Sequence, residues 1–157
     1  MLFQPSQADV RRFFCGVYAK ALAHQPMEAI ETLASLWIDE HPEYHAELAD
    51  LDAALAAMPE EAARAASGGL SQNSSDKTSA FLHLSMHLTI SEQCSIDQPR
   101  GIRQAVELLT ARLDSLHDAH HATMDCLGQM VWESQRAGRP PDGEAYIACV
   151  QSRSTKI

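Results

Sequence analysis

Residues 80–94 read AFLHLSMHLTISEQC, and this stretch decides the fold class. Its apolar residues do not alternate as they would in a half-buried strand; Phe81, Leu84 and Leu88 recur at intervals of three and four, the spacing of one helix face. At about 100° of turn per residue, His83, His87, Ile90 and Cys94 fall in one narrow stripe, and Ser85, Thr89 and Glu92 fall opposite. The Ser/Thr/Glu side is expected to face water. Both imidazoles are then directed into the core, where a polar ring left without a partner costs on the order of 1–3 kcal/mol.

The helical pattern extends in both directions. Towards the N-terminus, Ser6 reads as an N-cap with Asp9 three residues on, followed by apolar positions at Val10, Phe13, Phe14, Val17, Tyr18 and Ala21. A second helix is expected from Pro26 through Ile38, and a third from Pro42 through Met58, each opened by a proline at a favoured first position. EEAARAA at 60–66 adds a turn of helix, and SGGLSQNSSDKTS at 67–79 reads as a mobile surface loop with little to bury.

Beyond Cys94, a fifth helix is expected from Pro99 through Leu113 and a sixth from Leu116 to Arg136, stopped by the Gly138–Pro141 run. Asp142 caps a short last helix holding Tyr146, Ile147 and Val150. Nothing reads as a strand. The expectation is an all-α, antiparallel helical bundle of about six helices plus a short C-terminal helix, forming a single domain over residues 1–157.

Composition narrows the function classes. The chain has 45% hydrophobic residues, and its 12 Lys+Arg against 21 Asp+Glu give a net charge of -9, which repels phosphate backbones and anionic lipid. Arg11-Arg12 and Arg100/Arg103 read as the polar sides or starts of helices. No nucleic acid and no membrane is expected as a partner; a homo-oligomer is compatible with the sequence. Cys15, Cys94, Cys126 and Cys149 lie far apart with no CxxC, the usage of thiols in a reducing compartment. MLFQPSQADVRR places its arginines after a very short apolar start, the reverse of a signal peptide, so the cytoplasm is the expected location.

Among the chain's eight histidines, three pairs carry the four-residue spacing of one helix face: His41/His45, His83/His87 and His117/His121. Chance placement gives well under one such pair. On the sixth helix the same angular construction groups His117, His121, Met124, Gly128 and Val131, with Trp132 beside them, so that pair too is expected to point inward. If the fourth and sixth helices run parallel, the four imidazoles of His83, His87, His117 and His121 converge at one level, as metal sites in helix bundles do. Asp125, one turn beyond His121, is a candidate fifth ligand or an acceptor for the ring of His121; Asp114 and Asp118 are further acceptors. His41 precedes Pro42, which pushes its backbone out of the helical region, so the shared-face argument fails for it and His45 remains the candidate from that pair. His24 and His120 are expected on the surface.

The donor set suits one transition-metal ion, iron or zinc first, and no organic cofactor is indicated. No Gly-rich phosphate loop, nucleophile elbow or HExxH occurs. His117-Asp118 matches the dipeptide of HD-type metal phosphohydrolases, with His83 or His87 upstream and Asp142 downstream. The bland alternative is a non-enzymatic helical interaction protein whose buried histidines are structural.

Four stretches carry a family resemblance: RRFF near the N-terminus, EHPEYH at 40–45, FLHLSMHLTISEQCSIDQPRGI at 81–102, and MDCLGQMVWESQRAGRPPDGEAYIAC at 124–149. Together they resemble the uncharacterised family known as domain of unknown function 1841. The resemblance implies a helical protein with histidines at the positions of His41, His45, His83, His87 and His121, and acidic or amide residues at Glu92 and Gln93. It names no activity. Ser79-Ala80 stands where the family pattern has Asn-Pro, and the Ser/Gly-rich loop is particular to this chain.

Overall fold

In the first helix, α1 (Gln7–Leu22), the Ser6 hydroxyl accepts a hydrogen bond from the Asp9 backbone N–H at 3.1 Å, so the cap expected from sequence opens the helix. This computed structural model describes residues 6–58 and 80–155; the helical turn expected at 60–66 and the loop expected at 67–79 lie outside them. The protein is all-α, and the described residues contain no strand. The chain divides into two units, residues 1–88 and 89–157, each built by helices packing on helices.

In the first unit, α2 (Ala29–Asp39) begins three residues after Pro26, because Glu31 reaches back to accept from the Glu28 N–H at 2.9 Å and sets the helix start there. Lys20 of α1 and Glu31 of α2 form an ion pair at 2.7 Å. The third expected helix is broken into a 3-10 turn (Pro42–Tyr44), α3 (His45–Leu48) and α4 (Leu51–Ala56). Asp50 makes the last break: its backbone is extended and its carboxylate accepts from the Ala53 N–H at 3.0 Å, a local bond that competes with helix continuation. Phe14, Val17, Ala34, Trp37, Ile38 and Leu48 form the core with Phe81, Leu84 and Leu88 from the start of α5 (Ala80–Ile96). Each such fully buried large side chain is worth about 1.5–3 kcal/mol relative to exposure.

Two expectations about polar faces are corrected here. Arg11 is buried, with its guanidinium 5.0 Å from the centre of the Phe81 ring and donating to the Gln7 carbonyl at 3.1 Å; burial holds its pKa below the usual value. On α5, Ser85, Thr89 and Glu92 are half-buried, and no residue from His83 to Cys94 is exposed. The Ser/Thr/Glu side therefore meets water only in part. Short hydroxyls tolerate that position because they bond the preceding turn, as Ser85 does to the Phe81 carbonyl at 2.7 Å.

In the second unit, α5 ends at Asp97, which takes a left-handed backbone with φ 52°. Arg103 supplies the missing donors, giving Nε to the Cys94 carbonyl and Nη2 to the Ser95 carbonyl, each at 2.6 Å. Asp97 returns the favour by accepting from the N–H groups of Gly101 and Arg103, and the latter chiefly holds its carboxyl below the ordinary range. Helices α6 (Ile102–Leu113), α7 (Leu116–Ala137) and α8 (Gly143–Thr155) all pack on one another around Ile102, Val106, Leu109, Cys126, Leu127, Tyr146 and Val150. Ser115 and Asp142 cap α7 and α8 through the N–H groups of Asp118 and Ala145. The last helix, at 13 residues, is longer than the short one expected.

Cys126 and Cys149 form a disulfide, whereas the sequence reading left all four cysteines as thiols. Their separation of 23 residues carries no motif; only the packing of α7 on α8 brings their Cα atoms to 5.8 Å, within bridging range. Cys15 and Cys94 are free. The pairing removes the argument that placed the chain in a reducing compartment. No helix among the described residues is long and apolar enough to cross a membrane.

Candidate metal centre

Helix α5 supplies two imidazoles one turn apart. His87 is fully buried and stacks on Trp37, with ring centres 4.0 Å apart and planes 12° from parallel. His83, half-buried, meets His87 edge to face at 4.8 Å. A third ring comes from His41, which the proline argument had set aside. His41 does lie outside any helix, with φ -127° and ψ 66° at the start of the 3-10 turn. That non-helical backbone leaves its side chain directed inward: it is only 4% exposed, and its Nε2 lies 3.0 Å from Nε2 of His87. The His41 and His83 ring centres are 4.8 Å apart. One ring nitrogen from each of His41, His83 and His87 lies within 4.8 Å of the other two.

The His41 ring is also held from behind. Its Nδ1 is 2.7 Å from a carboxylate oxygen of Glu43, and Tyr44 stacks on its face at 5.0 Å. Burial and the neighbouring Glu43 and Glu47 push the Tyr44 phenol pKa up, keeping it neutral. Glu43 and Trp37 were missed in sequence. The signal for Glu43 was present in HPEY, a carboxylate two residues beyond a histidine at a proline turn.

His45 has a different place. Its Nε2 is 2.9 Å from the Ile38 carbonyl, and its ring lies 5.2 Å from Tyr18. It ties the turn to the end of α2, whose last carbonyls lack helical partners.

On α7, His117 and His121 face each other, with ring centres 4.5 Å apart and Nε2 atoms at 3.0 Å. The expected inward stripe is corrected. Ala119, His120, Thr123, Met124, Cys126 and Leu127 are buried, whereas His117 is half-buried and His121, Gly128, Val131 and Trp132 are exposed. His120 is thus inside, 3% exposed, and burial, reinforced by His117 and His121, lowers its pKa to about 3. His24 is on the surface, as expected. The side chain of Asp125 is 70% exposed and pairs with Arg153 at 3.7 Å. Of the acceptors suggested for the His117/His121 pair, Asp114 ends α6 and Asp118 lies exposed in the first turn of α7; Asp142, the downstream carboxylate of the HD-type reading, caps α8.

Two nitrogens 3.0 Å apart can both ligate one ion. At the usual metal–imidazole distance of about 2.0–2.1 Å they subtend close to a right angle, that of neighbouring ligands around a six-coordinate or square-planar ion. The His41/His87 and His117/His121 contacts each meet this condition. The donor chemistry fits: neutral imidazoles suit iron, zinc, copper and nickel.

A family model matches residues 6–152, nearly the whole chain. The chain belongs to the family described as a domain of unknown function, DUF1841. The match to DUF1841 therefore extends well beyond EHPEYH and the α5 stretch. No curated protein and no solved structure matches the chain.

Proposed function

We propose that this DUF1841 chain binds one transition-metal ion through imidazoles. The candidate ligand set is His41, His83 and His87 of the first unit, each offering one ring nitrogen; His117 and His121 form a separate pair in the second. The observation that carries the reading is the His41, His83 and His87 trio, three rings in mutual contact with a carboxylate behind one of them. Three polar rings gathered on an otherwise apolar core are costly as mere filling and useful as ligands.

Elemental analysis of untagged protein, reconstituted separately with ferrous iron and zinc, tests this. About one equivalent per chain is expected in wild type. His87→Ala and His41→Ala should lose it, with the α-helical circular dichroism retained. Wild type without stoichiometric metal, or wild-type metal content in both variants, overturns the proposal. One observation favours the interaction-protein reading: Leu116, Val131 and Trp132 stand exposed along α7, Trp132 at 54%. That reading predicts concentration-dependent self-association or partner binding that Trp132→Ala abolishes, in protein that takes up no metal.

A further inference from the structure

The local chain around His41 explains why Glu43 lies where it does. Pro42 opens the 3-10 turn with its φ already fixed, and the Tyr44 N–H closes it on the His41 carbonyl at 3.0 Å. The turn folds residue 43 back beside residue 41, and a Glu43 carboxylate oxygen comes to 2.7 Å from His41 Nδ1. An ionised carboxylate has no hydrogen to give, so Nδ1 is the donor. A neutral imidazole with its hydrogen on Nδ1 carries its lone pair on Nε2. Nε2 is the atom directed at His87.

We infer that Glu43 is the positioning carboxylate of this site: it holds His41 as the Nδ1–H tautomer and so offers Nε2 to the metal. The inference rests on the metal reading above and assigns a residue that is not itself a ligand. The Glu43 side chain is 58% exposed while His41 is 4% exposed, so the carboxylate keeps much of its hydration and still reaches a buried ring. Its charge also makes Nε2 a better donor, the usual effect of a carboxylate behind a ligating histidine. Tyr44, stacked within 14° of parallel, fixes the plane in which that hydrogen bond runs. A surface ion pair without this role leaves the tautomer and the metal affinity indifferent to residue 43.

Two measurements on the full chain test the inference. In metal-free protein with 15N-labelled histidine, long-range proton–nitrogen NMR should show His41 with its hydrogen on Nδ1. Glu43→Ala should lose that preference, and Glu43→Gln, whose carboxamide oxygen still accepts, should retain it. In chelator competition with zinc, Glu43→Ala should bind about 10–100-fold more weakly than wild type, and Glu43→Gln should fall between them. Thermal melts of all three proteins check that the fold is kept. Wild-type uptake combined with an unchanged tautomer and affinity in Glu43→Ala overturns the assignment and leaves the metal reading standing. Absence of uptake by wild type overturns the metal reading, and the tautomer measurement still decides what Glu43 does to His41.

Discussion

His41 and His45 lie in one five-residue segment and hold different positions. His41 points its Nε2 at His87, and His45 places its Nε2 against the Ile38 carbonyl. A residue-scale prediction separates them. His45→Ala should keep its full metal content but lose about 1 kcal/mol of unfolding free energy, because the Ile38 carbonyl loses its side-chain partner and keeps only the His41 N–H at 3.1 Å. Urea titration and elemental analysis of the same sample check this, and loss of metal from His45→Ala would instead make it a ligand. The pairing of His83 with His87 was legible in the sequence because a four-residue spacing on an uninterrupted helix has one geometric outcome. The place of His41 was not legible, since the residue before a proline leaves the helix and its direction depends on the turn that follows. For the same reason Glu43 was invisible to a search for shared helix faces.

At the scale of elements, helix ends were read more securely than helix faces. Ser6 and Asp142 cap where the sequence suggests because a cap is a bond across three residues. The face of α7 was misread because apolar residues surround it: Leu116, Met124, Leu127, Val131 and Trp132 point in several directions, and the angular stripe could be centred on more than one of them. Two glycines make the resulting faces measurable. Gly128 lies inside α7, exposed, and a Cβ added there meets nothing within 4 Å, so Gly128→Ala should stabilise by about 0.5–1 kcal/mol. Gly143, at the start of α8, has no such room: an added Cβ falls 2.9 Å from Cβ of Pro99. Gly143→Ala should therefore destabilise by about 1–3 kcal/mol. Denaturation of the two variants side by side checks the pair, and a destabilising Gly128→Ala would place that face of α7 against a neighbour.

At the scale of the whole molecule, the covalent link in the second unit is the feature with the largest expected effect on stability. The Cys126–Cys149 bridge closes a loop of 23 residues and ties α7, which carries His117 and His121, to α8. Constraining a loop of that length in the unfolded chain is worth about 3 kcal/mol. Cys149→Ser, or wild type held in strong reductant, should lose about that much in chemical denaturation; equal stability in oxidising and reducing buffer would show that the bridge contributes nothing. By itself the sequence determined that the chain is helical, where most helices begin and end, and that His83 and His87 share a face, because each follows from bonds and angles spanning four residues or fewer. Only the tertiary structure decided that His41 joins them, that His120 and not His121 is buried, and that Cys126 meets Cys149. Periodicity states which residues share a side of a helix, but which side is covered, and by what, depends on neighbours brought together from distant parts of the chain.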